Sequence, residues 1–185
     1  ISQSPAGHVR TRHPRLSIPS VLDESEIVSL INAASFGQIG PRNSRDQTMI
    51  ELTYAAGLRV SEVVGPNGIQ ISALSLDSGW VRINGKGSKE RIAPLYSGIV
   101  ARIRNYIEED RPRLSNRLNS RALFLNARGS ALTRQGYWLV LKRAATAAAR
   151  SRRSFSSARR FSSGFVSVTT CQNFGKKLNY PVDIP

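Results

Sequence analysis

The sequence predicts an α+β fold, mainly helical with a small antiparallel β-sheet or hairpin. Three observations predict it. Apolar residues recur at helical spacing in four separate segments, the mark of helices with one buried face. One segment, "WVRINGKGSKERIAPL", alternates, turns at glycines and returns, as a hairpin does. Forty per cent of the 185 residues are hydrophobic, enough for the core of one domain of ordinary size, with or without a tail.

Residues 1–19 carry Pro, Gly, Ser, Arg and His without periodicity and read as a linker or arm. The first helix follows in "LDESEIVSLINAASFG". Asp23 and Glu26 have capping-box spacing, Ile27, Leu30, Ile31 and Ala34 mark one face, and Gly37 is the expected stop. In "GPRNSRDQTMIELTYAAGLRVSEVVG", Asn43 or Ser44 is the expected cap of a second helix. Met49, Leu52, Thr53 and Ala56 follow on its face, and Gly57 stands where a C′ residue belongs. Arg59 then falls in a turn, before a short helix over about Val60 to Val64.

Gly, Pro, Asn and Ser dominate residues 65–79. In the hairpin, Val81 and Ile83 alternate with Arg82, the 85–88 region turns, and Ile92 to Leu95 returns; Pro94 places the return strand at an edge. Ile99, Ile103, Tyr106 and Ile107 predict the next helix. A short strand over Leu123 to Leu125 and a turn at Gly129 come next. The last helix is expected to be capped near Thr133, with Trp138, Leu141 and Ala145 periodic. From 151 to 185 the chain is Ser- and Arg-rich without lasting periodicity, a basic tail expected to be disordered or loosely packed.

Charge speaks to partners. Lys and Arg number 27 against 12 Asp and Glu, a formal charge of +15 and a pI near 11.3. Such a surface attracts polyanions, since phosphate contacts gain by counterion release. Nucleic acid is the leading partner and an anionic membrane surface the runner-up. Cys171 is the single cysteine, which excludes a disulfide framework and a Cys-based zinc site, and His8 and His13 are the two histidines. No apolar run approaches the ~20 residues of a spanning helix. The expected setting is a soluble intracellular compartment.

Three features could do chemistry. Arg59, inside the largely apolar "LTYAAGLRVSEVVG", is either an ion pair with Glu62 on a helix face or a guanidinium fork for a phosphate, with Glu62 fixing it from behind. Lys86, between two glycines and followed by Lys89 and Arg91, is either a solvated turn or one that nears a nucleic-acid backbone. Thr133, Arg134 and Gln135 open a helix, where N–H groups and short polar side chains suit a phosphate. No Asp/Glu/His cluster has metal-ligand spacing and no histidine lies near a Ser or Cys nucleophile, so the sequence predicts no metal and no hydrolytic triad.

Taken in order, "YAAGLRVSEVVG", "VRINGKGSKERIAPL" and "LFLNARGSALTRQGYW" resemble the tyrosine recombinases, also called the phage integrase family, and most nearly their Xer-like branch. "RNSRDQTMIELTYAAG" and "SIPSVLDESEIVSLINAA" fit the same pattern. The resemblance covers roughly 16 to 148 and implies a partial recombinase catalytic domain over residues 20–150. It implies metal-independent, cofactor-free strand exchange on double-stranded DNA. A tyrosine attacks the scissile phosphate and forms a 3′-phosphotyrosyl link, while arginines and a histidine or tryptophan clamp the charge. Arg59 matches the first clamp arginine and Lys86 the hairpin lysine, the general acid. Lys89, Arg91, Thr133, Arg134 and Gln135 are the expected DNA contacts, and other recombinase protomers are candidate partners. The implied location is the cytoplasm, at the nucleoid.

The departures are as informative. The family's His-x-x-Arg motif follows the last helix, yet no histidine occurs after His13. Tyr180 lies in "KKLNYPVDIP", unlike the surroundings of the family's nucleophile, and is not assigned. The resemblance includes none of the family's N-terminal clamp domain and ends near Ala148. A truncated or frameshifted reading of the gene is the expectation, with an uncovered core and marginal stability following from it. The chain is then a catalytically incomplete recombinase or, alternatively, a non-catalytic basic DNA-binding remnant.

Overall fold

A computed structural model describes residues 22–35, 40–85, 90–115 and 120–151. The arm over 1–19, the Gly37 stop, Lys86, Lys89 and the segment 152–185 with Tyr180 lie outside the described residues.

Helix α1, Glu24–Ala33, begins as its sequence directs. Asp23 Oδ1 accepts from the Glu26 N–H at 2.8 Å, and Glu26 Oε2 accepts from the Asp23 N–H at 3.0 Å. Two N–H groups that no helical turn could satisfy are thereby paired. Helix α2, Pro41–Ala55, starts earlier than the Asn43 or Ser44 cap would have it. Pro41 opens the helix because its ring presets φ and its missing N–H would have had no helical acceptor.

The end of α2 builds the next turn. Gly57 takes φ +60°. Its N–H donates to the Tyr54 carbonyl at 3.3 Å, and the Leu58 N–H donates to that of Thr53 at 2.9 Å. This is a Schellman closure, with buried Leu58 as the apolar residue that seals it. A Cβ at Gly57 would cost about 1 kcal/mol in that left-handed conformation. Because the turn reverses the chain within two residues, Arg59 becomes the N-cap of α3, Val60–Val63.

A 3₁₀ turn, Ile71–Ala73, leads into a three-stranded antiparallel sheet in the order β1 (Leu74–Ser75), β2 (Trp80–Asn84), β3 (Glu90–Pro94). β1 went unexpected: a two-residue strand shows no period. β3 ends the sheet's order with Pro94, as expected of an edge strand. Helix α4, Ser97–Asn105, runs through one π turn, Tyr106–Asp110, into α5, Arg111–Leu114. The strand expected over Leu123 to Leu125 is a correction. Isolated bridges join Gln70 to Ala122 and Leu125 to Ala131. Gly129 at φ +82° closes a tight turn, Asn126 N–H to Ser130 carbonyl at 2.8 Å, leaving too few residues for a ladder. Arg111 holds this segment instead, its Nη2 donating to the carbonyls of Ser120 at 2.6 Å and Ala122 at 2.8 Å. Burial lowers the pKa of that guanidinium.

Helix α6, Arg134–Ser151, closes the described fold. Tyr137, Val140, Leu141, Ala144, Ala145 and Ala148 face inward. Trp138, expected on this face, points outward with Leu139, since the inward stripe runs through Tyr137. The core joins these residues to Met49 and Leu52 of α2, Val81 and Ile83 of β2, and Ile99, Ile103 and Tyr106. Tyr106 stacks on Phe124 with centroids 5.7 Å apart and donates to the Leu123 carbonyl at 3.2 Å. Burial pushes the phenols of Tyr106 and Tyr137 up to about 12. Fully burying an isoleucine is worth about 1.5–3 kcal/mol, more than a surface ion pair at about 0–1 kcal/mol. Apolar packing is therefore the main hold on α4, and its surface pair Arg104–Asp77, at 2.9 Å, adds little. No described helix is long and apolar enough to cross a membrane.

Candidate active site

The site grows from the turn after α2. Glu62, on the first turn of α3, accepts the Arg59 backbone N–H on Oε2 at 2.8 Å. That is one half of a capping box; the other half is missing because an arginine side chain carries no acceptor. Oε1 of the same carboxylate takes Arg59 Nη1 at 3.1 Å. Backbone and guanidinium of Arg59 are thus both fixed by one side chain, from behind.

A second guanidinium reaches the same carboxylate. Arg91 Nη2 donates to Glu62 Oε2 at 2.8 Å and to the Gly57 carbonyl at 3.4 Å. The Glu62 side chain is 4% exposed, while those of Arg59 and Arg91 are 60% and 40% exposed. A buried carboxylate with outward-facing guanidiniums leaves one net positive charge in the cluster and free N–H groups toward solvent. Such an arrangement suits two non-bridging oxygens of a phosphate diester.

Thr133 caps α6 as expected, its Oγ1 accepting from the Gly136 N–H at 3.0 Å. Arg134 and Gln135 are exposed on the first turn. The start of α6 is tied to the end of α3, for the Gly65 N–H donates to the Leu132 carbonyl at 2.9 Å. The structure therefore brings together Arg59, Glu62 and Arg91, and fastens the Thr133–Gln135 turn to the helix that carries Glu62. Lys86 and Lys89 belong to the chain between β2 and β3, outside the described residues.

Sequence reasoning missed where Arg91 points. Ile83 pairs with Arg91 and Val81 with Ala93, so Arg91 shares the inward side of the sheet with buried residues. The signal was the period-2 alternation of 91, 93 and 95, with Ile92 left exposed. It also missed two other buried carboxylates. Asp46 lies between Arg45, whose Nε is 2.7 Å away, and Arg143 of α6. Glu51 pairs with Arg102 Nε at 2.6 Å and accepts from the Tyr96 hydroxyl.

The described residues form a mainly helical domain with a small antiparallel sheet, a fold that solved recombinase structures share. The solved structure of XerA recombinase aligns with a TM-score of 0.59 at 21% identity, covering 84% of this chain and 60% of its own. XerH site-specific recombinase bound to difH substrate in a pre-cleavage complex also gives 0.59, at 22% identity, covering 77% and 41%. Residues 20–165 match the model of the phage integrase family, and the chain belongs to that family. It is 36% identical over 141 residues to tyrosine recombinase XerD of Staphylococcus epidermidis, covering 76% of this chain and 46% of that protein. With tyrosine recombinase XerD of Staphylococcus aureus the identity is 38% over 125 residues, covering 68% and 41%. The chain spans less than half the length of these curated relatives. The family match runs past Ala148, where the resemblance read from the sequence was expected to end.

Proposed function

We propose that this chain is part of a site-specific DNA recombinase that breaks and rejoins double-stranded DNA through a phosphotyrosyl intermediate, and that it carries an incomplete catalytic set. The observation that supports this reading most is the Arg59 guanidinium, exposed to solvent yet held at backbone and side chain by buried Glu62. In an enzyme whose transition state gathers negative charge on phosphorus, a donor fixed before the substrate arrives costs no reorganisation during reaction. Arg59 is the first clamp arginine in this reading and Lys86 the proton donor to the leaving oxygen. Lys89, Arg134 and the Thr133 and Gln135 polar groups then contact the DNA backbone. Residues 20–150 form the recombinase part, with other protomers as partners and the nucleoid as the location. One of the aligned solved structures, XerH site-specific recombinase, is bound to its difH substrate, which favours a substrate-binding role for this fold here too.

The alternative is a non-catalytic basic DNA-binding remnant. It is favoured by the lack of any histidine after His13, which leaves no His-x-x-Arg motif. A suicide DNA duplex that traps covalent intermediates separates the two. The chain by itself should bind duplex DNA at low salt, lose affinity steeply as salt rises, and form no adduct. An adduct abolished by Tyr180→Phe would overturn the incomplete set, and salt-insensitive binding would overturn phosphate contact.

A further inference from the structure

Arg91 stands in an unusual place for a DNA contact. It lies on the inward side of β3, in register with Ile83, with its side chain 40% exposed. Its Nη2 finds Glu62 Oε2 at 2.8 Å, the same oxygen that receives the Arg59 backbone N–H at 2.8 Å. The remaining oxygen takes the Arg59 guanidinium. One carboxylate therefore sets the place of two arginines from two elements, the N-terminus of α3 and an edge strand. The charges decide what each does. With Arg91 present, Glu62 is neutralised and the positive charge of Arg59 is left for a ligand. Without it, Glu62 and Arg59 cancel, and the pair offers a ligand no net charge.

We infer that Arg91 is a positioning residue: it acts through Glu62 to aim the Arg59 guanidinium and keep its charge available, rather than by gripping DNA itself. This rests on the reading of Arg59 as a phosphate ligand. It also fastens β3 to the turn that carries Arg59.

The test is a double-mutant cycle on the affinity of the full chain for a duplex DNA oligonucleotide. Affinity is measured across a salt series, at a temperature where thermal melts show every variant folded. Arg59→Ala should weaken binding and reduce the slope of log affinity against log salt by about 0.9, one phosphate contact. Arg91→Ala should weaken binding about tenfold, the scale of a charged hydrogen bond. The double variant should bind within about twofold of Arg59→Ala, because neighbours acting through one group are not additive. Should Arg91→Ala melt below the assay temperature, Arg91→Gln, which keeps a donor toward Glu62 but no charge, takes its place in the cycle. An additive double variant with a further slope loss of about 0.9 would make Arg91 a DNA contact and overturn the inference. So would parental binding by the Arg91 variant. If Arg59→Ala itself binds like the parent, the phosphate reading of Arg59 falls, an outcome distinct from the other two.

Discussion

The same three-group arrangement occurs twice in this fold. At Glu62 and at Asp46, one buried carboxylate lies between two guanidiniums. The difference is in what the arginines have left over. The Arg45 side chain is 6% exposed and commits Nη1 to the Leu125 carbonyl at 2.7 Å, while Arg143 crosses from α6 to close the set. Every part of that triad joins α2 to something behind it. The Glu62 triad instead turns Arg59 to solvent, 60% exposed, while its second arginine, Arg91 at 40%, matches Arg143 at 39%. Similar chemistry thus buries its first arginine in one place and leaves it open to solvent in the other. The exposure of one guanidinium in each, Arg45 against Arg59, tells them apart, and the ion pair does not.

The largest effect should come from breaking the Asp46 triad. Asp46→Ala leaves a buried guanidinium uncompensated and should cost about 3–5 kcal/mol in urea unfolding. A loss near that at Glu62 would erase the distinction. Glu62→Ala strands arginines that water already reaches, so its cost should be lower, about 1–3 kcal/mol by the same unfolding curve. The smallest effect tests whether Arg143–Asp46 holds α6 without help from its cap. Thr133→Ala should cost about 1 kcal/mol. A much larger loss would show that the start of the helix, more than the triad, keeps α6 in place.

What was legible in the sequence follows from how local the signal is. The α1 capping box and the Gly57 turn are written within a few residues, and both formed where expected. The start of α2 was less legible because Gly40 offers no side chain to cap with, whereas Asn43 and Ser44 do, and the proline at the first helical position is the better marker. Trp138 misled by size. The inward stripe from Tyr137 to Ala148 is half alanine and keeps helical spacing once the tryptophan is released to the surface. At the site, Arg59 with Glu62 could be read from a three-residue spacing. Arg91 is 29 positions from Glu62, and Arg143 is 97 from Asp46. Nothing in a linear pattern joins groups so far apart; strand register and helix packing do.

The bond from the Gly65 N–H to the Leu132 carbonyl has a consequence in time. The Arg59–Glu62 pair can close as soon as its own turn forms, while the chain is still short. Arg91 joins only when the sheet docks, and the Thr133 turn only after the whole stretch between Gly65 and Leu132 has been drawn into a loop. Such closure meets its entropic cost before its contacts repay it. The site is therefore assembled in order: its first arginine is set in place by neighbours, and its far wall arrives last.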